Sequence, residues 1–256
     1  MARIGKVELT LDGGIATLSI LDQKRMNTLD SPTVETLLAM GEDLRVRDDL
    51  RLVILRGEGG KSFLGGVDIH EMQDFTPRKA RAFITKLHHL CHLFRSLPVP
   101  SIAAIDGFCL GGGMEVAACC DFRIATQGSR FGMPEVRLGM PSVIEAAVFP
   151  SLIGWANTRD LLYTGRMMEV EEAHRMGFVQ KVVEQGQLDE GMGPWVQDIL
   201  AADPAAIRTQ KHLMEFWLDH SLAAGIQESI EAFSATFQSD APALRLQAFL
   251  AKKVSK

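Results

Sequence analysis

Two glutamates occupy places where a carboxylate is costly. Glu115 follows Gly111-Gly112-Gly113-Met114 and leads into the apolar run Val116-Ala117-Ala118-Cys119-Cys120. An unpaired carboxylate buried in such a stretch needs a partner or a chemical task. Glu135 closes the segment Phe131-Gly132-Met133-Pro134-Glu135, with Met140 and Pro141 just beyond it. Taken singly, Glu135 reads as a capping or surface carboxylate. If both converge on an apolar, Met-rich pocket, they form a good general acid–base pair.

Two glycine clusters could supply the donors such a pair works beside. Gly111-Gly112-Gly113 opens a helix after the buried strand 101–105, so N–H groups and positive partial charge would face a ligand there. Gly65-Gly66, within Lys61-Ser62-Phe63-Leu64-Gly65-Gly66-Val67-Asp68-Ile69, permits a tight backbone with exposed N–H groups. Each cluster by itself is compatible with an ordinary turn. A phosphate loop ending at Gly60-Lys61-Ser62 is excluded, because it requires glycine where Leu55 stands. No nucleophile-elbow GxSxG is present. His88, His89 and His92 share one helix, but no neighbouring Cys or acidic cluster completes a ligand set, so no metal is expected. Glu169-Val170-Glu171-Glu172 reads as the solvated start of a helix.

The elements that must position these residues follow from periodicity and punctuation. Lys6 to Leu21 alternates around Asp12-Gly13-Gly14, a hairpin. Ser31 opens a helix with Pro32 at its first position and Glu35 available for a capping contact. Short apolar strands are expected at 51–55, 101–105 and 121–126, and helices at 77–97 and 115–120. After Pro141 the pattern is helical almost to the end, with one strand at 179–183. Pro204 and Pro242 start the last long helices. Alternating strands and helices followed by helices alone predict an α/β core, 1–195, with a helical C-terminal region, 196–256.

A chain of 256 residues with 46% hydrophobic and 23% charged residues can bury a large core, which excludes a disordered protein. The net charge of −5 offers no general attraction for nucleic acid or an anionic membrane. Cys91, Cys109, Cys119 and Cys120 form no disulfide framework and read as reduced core residues. The N-terminus has no export or import segment, and no apolar stretch is long enough to cross a bilayer, so a cytoplasmic protein is expected. Apolar faces at Leu222, Ile226, Ile230, Phe233 and Phe237, and at Leu244, Leu246, Phe249 and Leu250, favour oligomerisation.

Together these segments resemble the crotonase superfamily, the enoyl-CoA hydratase/isomerase family. The likeness runs through RMNTLD, KSFLGGVDIHEM, AAIDGFCLGGGMEVAACCDFRIAT, RFGMPEVRLGMP and AFLAKK, and so covers essentially the whole chain. It implies a ββα superhelical core with a trimerising helical C-terminus, assembled as a trimer or as two stacked trimers. It also implies oxyanion-hole donors at the Val67 and Gly112 N–H groups and catalytic glutamates at Glu115 and Glu135. By the same resemblance Lys61, Gly65 and Ile69 line an adenine site. Lys24 or Arg25, with Phe249 and Lys252 from a neighbouring subunit, lie near the CoA phosphates. Gly66, Asp68, Gly111 and Met133 complete the implied substrate-binding set. The implied activity is hydration of a 2-enoyl-CoA thioester, with no cofactor beyond the CoA of the substrate; isomerase, hydrolase and decarboxylase reactions occur on the same scaffold, as do non-catalytic members. One stretch departs from the family. A glycine-rich segment is replaced by Met140-Pro141-Ser142-Val143-Ile144-Glu145-Ala146, which brings in a third carboxylate, Glu145.

Overall fold

The computed structural model describes residues 1–254. Its first elements form an antiparallel meander. Strand β1 (Ala2–Ile4) pairs with β2 (Val7–Asp12), and β2 with β3 (Ile15–Ile20). Gly13 and Gly14 turn the hairpin at φ +53° and +83°, which is why glycine is needed there. Helix α1 (Ser31–Arg45) then carries the chain to β4 (Leu52–Gly57), parallel to β3.

From β4 onward one unit recurs: a strand in a large sheet, a three-residue strand in a small sheet, then helix. The first unit is β4, β5 (Ser62–Leu64), the short α2 (Ile69–Met72) and α3 (Pro77–Ser96). The second is β6 (Ser101–Ile105), β7 (Phe108–Leu110) and α4 (Gly112–Ala118). The third is β8 (Phe122–Thr126) and β9 (Arg130–Gly132), followed by the 3-10 turns Pro134–Leu138 and Ile144–Val148 and by α5 (Phe149–Thr164). The chain continues through β10 (Met167–Glu169), α6 (Val170–Arg175), β11 (Lys181–Val183), α7 (Leu188–Ala201), α8 (Pro204–Asp219), α9 (Leu222–Thr236) and α10 (Ala241–Val254). The large sheet has the order β1-β2-β3-β4-β6-β8-β11 and the small one β10-β9-β7-β5. This is the α/β, ββα spiral expected from the resemblance.

The large sheet is covered on both faces, so its central strands read as unbroken apolar runs. Val53, Leu55, Ala103 and Ile105 point into the main core, while Leu52, Ile54, Ile102 and Ala104 meet Met192 and Ile199 of α7 on the other side. Prolines mark helix starts after side-chain caps: Pro32 after Asp30, Pro77 after Thr76, Pro204 after Asp203. The expectation for α1 needs one correction. Its N-cap is Asp30, which accepts from the Thr33 N–H at 2.9 Å, while the Ser31 N–H donates to Glu71 and Glu35 pairs with Lys86 instead of capping. The C-terminal stretch needs another, because β10 interrupts what reads as continuous helix. All four cysteines are buried and unpaired. Among the described residues no helix is long and apolar enough to cross a membrane.

Helix α8 is fastened to the core by a charge. Lys211 is 7% exposed and its Nζ donates to both Asp121 oxygens at 2.7 Å and to the Phe94 carbonyl at 3.3 Å. Asp121 in turn accepts from the Ser101 N–H at 2.7 Å, so one pair joins α8, α3 and the start of β6. Removing one member of a buried pair leaves the other unpaired. Lys211→Ala is therefore expected to lower stability by about 3 kcal/mol, measured by denaturant unfolding.

Candidate active site

The two glycine clusters become two adjacent donor loops. In the first, Gly66 adopts φ +95°, and the 65–68 segment is laced to residues 26–29. The Gly65 N–H donates to the Met26 carbonyl at 2.8 Å, the Leu29 N–H to Gly66 at 2.8 Å, and the Asp68 N–H to Leu29 at 3.1 Å. That lacing skips the Val67 N–H, which has no acceptor among the described residues. Asp68 is 4% exposed and holds the loop from the other side. Its carboxylate caps α2 through the His70 N–H at 2.9 Å and pairs with Arg25 Nη1 at 2.9 Å.

In the second loop Gly111 sits at φ +50° and its N–H donates to Gly132 at 2.9 Å. Gly112 and Gly113 begin α4, so their N–H groups have no intrahelical acceptor. A β-carbon on Gly113 would lie 2.5 Å from Leu64, so only glycine lets α4 press against β5. A β-carbon on Gly112 would stand 3.3 Å from a Val67 methyl and 3.9 Å from Glu115 Oε2. The Val67 and Gly112 N–H groups thus belong to neighbouring backbones beside a carboxylate.

Glu115 is 4% exposed and its Oε1 accepts from the Ala146 N–H at 3.1 Å. Burial pushes its carboxyl up to about 8; the Ala146 N–H works against this, and the charges of Glu135 and Glu145 add to it. Glu135 lies across the second loop, close enough that a β-carbon on Gly111 would come within 2.5 Å of its Oε1. Its Oε2 accepts from the Ser142 hydroxyl at 2.9 Å, and burial raises its pKa as well. Both glutamates, Gly66, Val67, Gly111 and Gly112 line one cavity of about 690 Å³. Met72, Phe75, Ile84, Leu138, Met140 and Val143 give that cavity apolar walls. Apolar walls of this kind lower the local dielectric and strengthen every dipole aimed into the cavity.

The other expected residues divide into groups. Gly65 and Ile69 line the cavity, and Ile69 is 56% exposed. Lys24, Arg25 and Lys61 lie on the surface of the segments that carry the first loop. Met133 is corrected: its side chain is fully buried in the main core and is not part of the cavity wall. Phe249 lies on α10 and is 58% exposed; α10 contributes nothing to the cavity among the described residues. Lys252 falls on the same helix, with its side chain outside the described residues. Among the described residues no three His, Cys, Asp or Glu side chains come together as a metal set.

Sequence reasoning passed over three residues that shape the site. The Ala146 N–H and the Ser142 hydroxyl hold the two glutamates, yet both lie in the stretch where the family pattern fails. Asn27 is fully buried; its amide donates to Ser62 O at 2.6 Å and Glu58 O at 3.0 Å, and its Oδ1 accepts from the Asp22 N–H at 2.8 Å. An asparagine at φ +53° that supplies both donors and an acceptor is the signal RMNTLD carried.

A ββα spiral sets two open N–H groups and two raised carboxylates around one apolar cavity. Residues 10–256 match the family model described as enoyl-CoA hydratase/isomerase. The short-chain-enoyl-CoA hydratase of Clostridium acetobutylicum is 31% identical over 251 residues, covering 98% of this chain and 96% of that protein. The crotonyl-CoA hydratase of Syntrophomonas wolfei is 35% identical over 243 residues, covering 93% and 92%. A crystal structure of enoyl-CoA hydratase from Bacillus anthracis superposes with a TM-score of 0.92 at 28% identity, covering 97% of both chains. The chain belongs to the enoyl-CoA hydratase/isomerase family of the crotonase superfamily.

Gly112 is the first residue of α4, a position where proline is ordinarily tolerated in a helix. Gly112→Pro removes the N–H while the helix can still form. Turnover is expected to fall about 100-fold or more in protein that thermal melting shows to be folded.

Proposed function

We propose that this protein is an enoyl-CoA hydratase, a hydro-lyase adding water across the 2,3 double bond of a 2-enoyl-CoA. The observation that carries the reading is the pair of raised carboxylates, Glu115 and Glu135, astride the Gly111-Gly112 backbone. As water attacks C3, charge builds on the thioester oxygen, and the Val67 and Gly112 N–H groups receive it. Each such donor is worth about 3 kcal/mol of barrier. Glu115 takes the proton from water, with the Ala146 N–H holding its ionised form. Glu135, whose pKa burial raises, delivers a proton to C2. The product is a 3-hydroxyacyl-CoA, and the two carboxyl groups exchange their proton through water before the next turnover. The CoA of the substrate is the only cofactor this chemistry calls for. Gly65, Gly66 and Ile69 border its entry, and Lys24, Arg25 and Lys61 supply nearby positive charge, with Asp68 holding Arg25 in place.

The family relationship and the exposed apolar faces support a trimer or hexamer built by residues 196–256 around the core of 1–195. Leu222, Ile226, Ile230, Phe233 and Phe237 are each more than half exposed in the single chain, as are Leu244, Leu246 and Leu250. Closed rings are the usual way for one chain to cover such faces. In that assembly Phe249 and Lys252 would reach a neighbour's CoA. The four buried, unpaired cysteines support a reducing compartment, the cytoplasm.

With crotonyl-CoA, loss of the enoyl absorbance is the direct test. Glu115→Gln and Glu135→Gln are each expected to reduce kcat by about 10² to 10⁴ while CoA binding persists. Full turnover in Glu115→Gln would overturn the mechanism, and activity retained only in Glu135→Gln would indicate a one-carboxylate isomerase. A base whose carboxyl titrates near about 8 is only about one-tenth ionised at pH 7. The kcat/KM of the free enzyme should therefore rise with pH from 6 toward 8. Light scattering is expected to give about three or six times the 28.1 kDa chain mass, and truncation after Asp240 should weaken both assembly and CoA affinity.

A further inference from the structure

The stretch that departs from the family places Glu145 against a histidine from another element. Glu145 is 3% exposed, and its Oε1 lies 2.7 Å from Nδ1 of His88 on α3, a contact spanning 57 positions in the chain. Its other oxygen is buried without a hydrogen-bond donor among the described residues. Neither residue lines the cavity. The residue before Glu145 is Ile144, a β-branched residue held at φ +43°, and the residue after it is Ala146, whose N–H reaches Glu115. A β-branched residue in that region persists only where the surroundings over-determine it. Ile144 and Ala146 pack into the core and the Ala146 N–H also donates to the Val143 carbonyl at 3.0 Å, while the His88 contact is the side-chain hydrogen bond that ties this turn to α3.

We propose that Glu145 and His88 form a positioning pair for the reaction: by pinning the 144–146 turn to α3, they keep the Ala146 N–H on the Glu115 carboxylate. Glu145 also acts through its charge, which lies close enough to Glu115 to help hold a proton there. The titratable groups around the pair are Cys91 on α3, Glu115 on α4 and Cys119 at the C-terminal end of α4. The rings of His89 and His92 lie beside His88, at 5.8 and 6.3 Å. Burial keeps the Cys91 thiol well up, so it brings no charge. His88 and the third carboxylate, unassigned in the sequence, thereby acquire one shared role.

The turnover part of the test rests on the hydratase reading; the titration part does not. In protein labelled with carboxyl-¹³C glutamate, the Glu115 signal is assigned by its loss in Glu115→Gln and then followed with pH. Glu145→Gln keeps an acceptor for His88 and removes a like charge, so the Glu115 midpoint should move to lower pH. Glu145→Ala and His88→Ala break the pin, and kcat should fall about 10- to 100-fold with little change in KM. His88→Gln, which keeps a donor within reach, should recover most of that loss. An unmoved Glu115 midpoint in Glu145→Gln overturns the proposal, as does a kcat that falls only in step with the folded fraction in both alanine variants. If the alanine variants do not fold, the midpoint in Glu145→Gln decides. Wild-type protein that leaves crotonyl-CoA untouched would overturn the hydratase reading alone, because the midpoint still judges the pair.

Discussion

Everything around the cavity depends on keeping one carboxylate out of water. Glu115 is 4% exposed, beside open N–H groups and within reach of two more carboxylates. Such a group is tolerated only with a donor, a helix start or a bound proton to compensate for lost hydration. Here all three contribute: the Ala146 N–H, the first turn of α4, and a carboxyl pushed up to about 8. The same desolvation that makes the group costly makes it useful, since an acid–base residue works best when its proton is exchangeable near working pH.

Placing that carboxylate requires close backbone approaches, and these explain the glycines better than loop flexibility does. Gly113 lets α4 touch β5, Gly111 leaves room for Glu135, and Gly66 turns the first loop so that its lacing to residues 26–29 bypasses Val67. Asn27 and the Arg25–Asp68 pair then fix the first loop with hydrogen bonds rather than with packing. The ββα repeat serves the same end. Each unit follows a strand of the large sheet with a short strand of the small one, and the two donor loops come directly after the short strands β5 and β7.

The two glutamates are supported differently. Glu115 rides on α4, a rigid element gripped by strands. Glu135 rides on a 3-10 turn and is held by Ser142. The turn that supplies the Ala146 N–H is irregular and strained at Ile144. Its position therefore depends on tertiary contacts, among them the core packing of Ile144 and Ala146 and the His88–Glu145 contact.

Much of this was legible in the chain itself. The hairpin at Gly13-Gly14, the buried strands read at 51–55, 101–105 and 121–126, the proline-marked helices and both glycine clusters could be read from period and punctuation, and the pairing of the two glutamates from the family resemblance. The three-residue strands β5, β7, β9 and β10 could not, because so short a run has no measurable alternation. The capping of α1 was misread because Asp30 and Ser31 are both good caps and only the docked α2 decides between them, by claiming Ser31 for Glu71. Met133 was misassigned because sequence adjacency to Glu135 says nothing about which side of the backbone faces the cavity. What the sequence determined is the set of chemical groups and the glycines that permit their approach, since these are properties of residue type. What the tertiary structure alone decided is which N–H stays unpaired, how far Glu115 is desolvated, and that His88 meets Glu145 across 57 positions. Those depend on distances between segments remote in the chain, which no local pattern encodes.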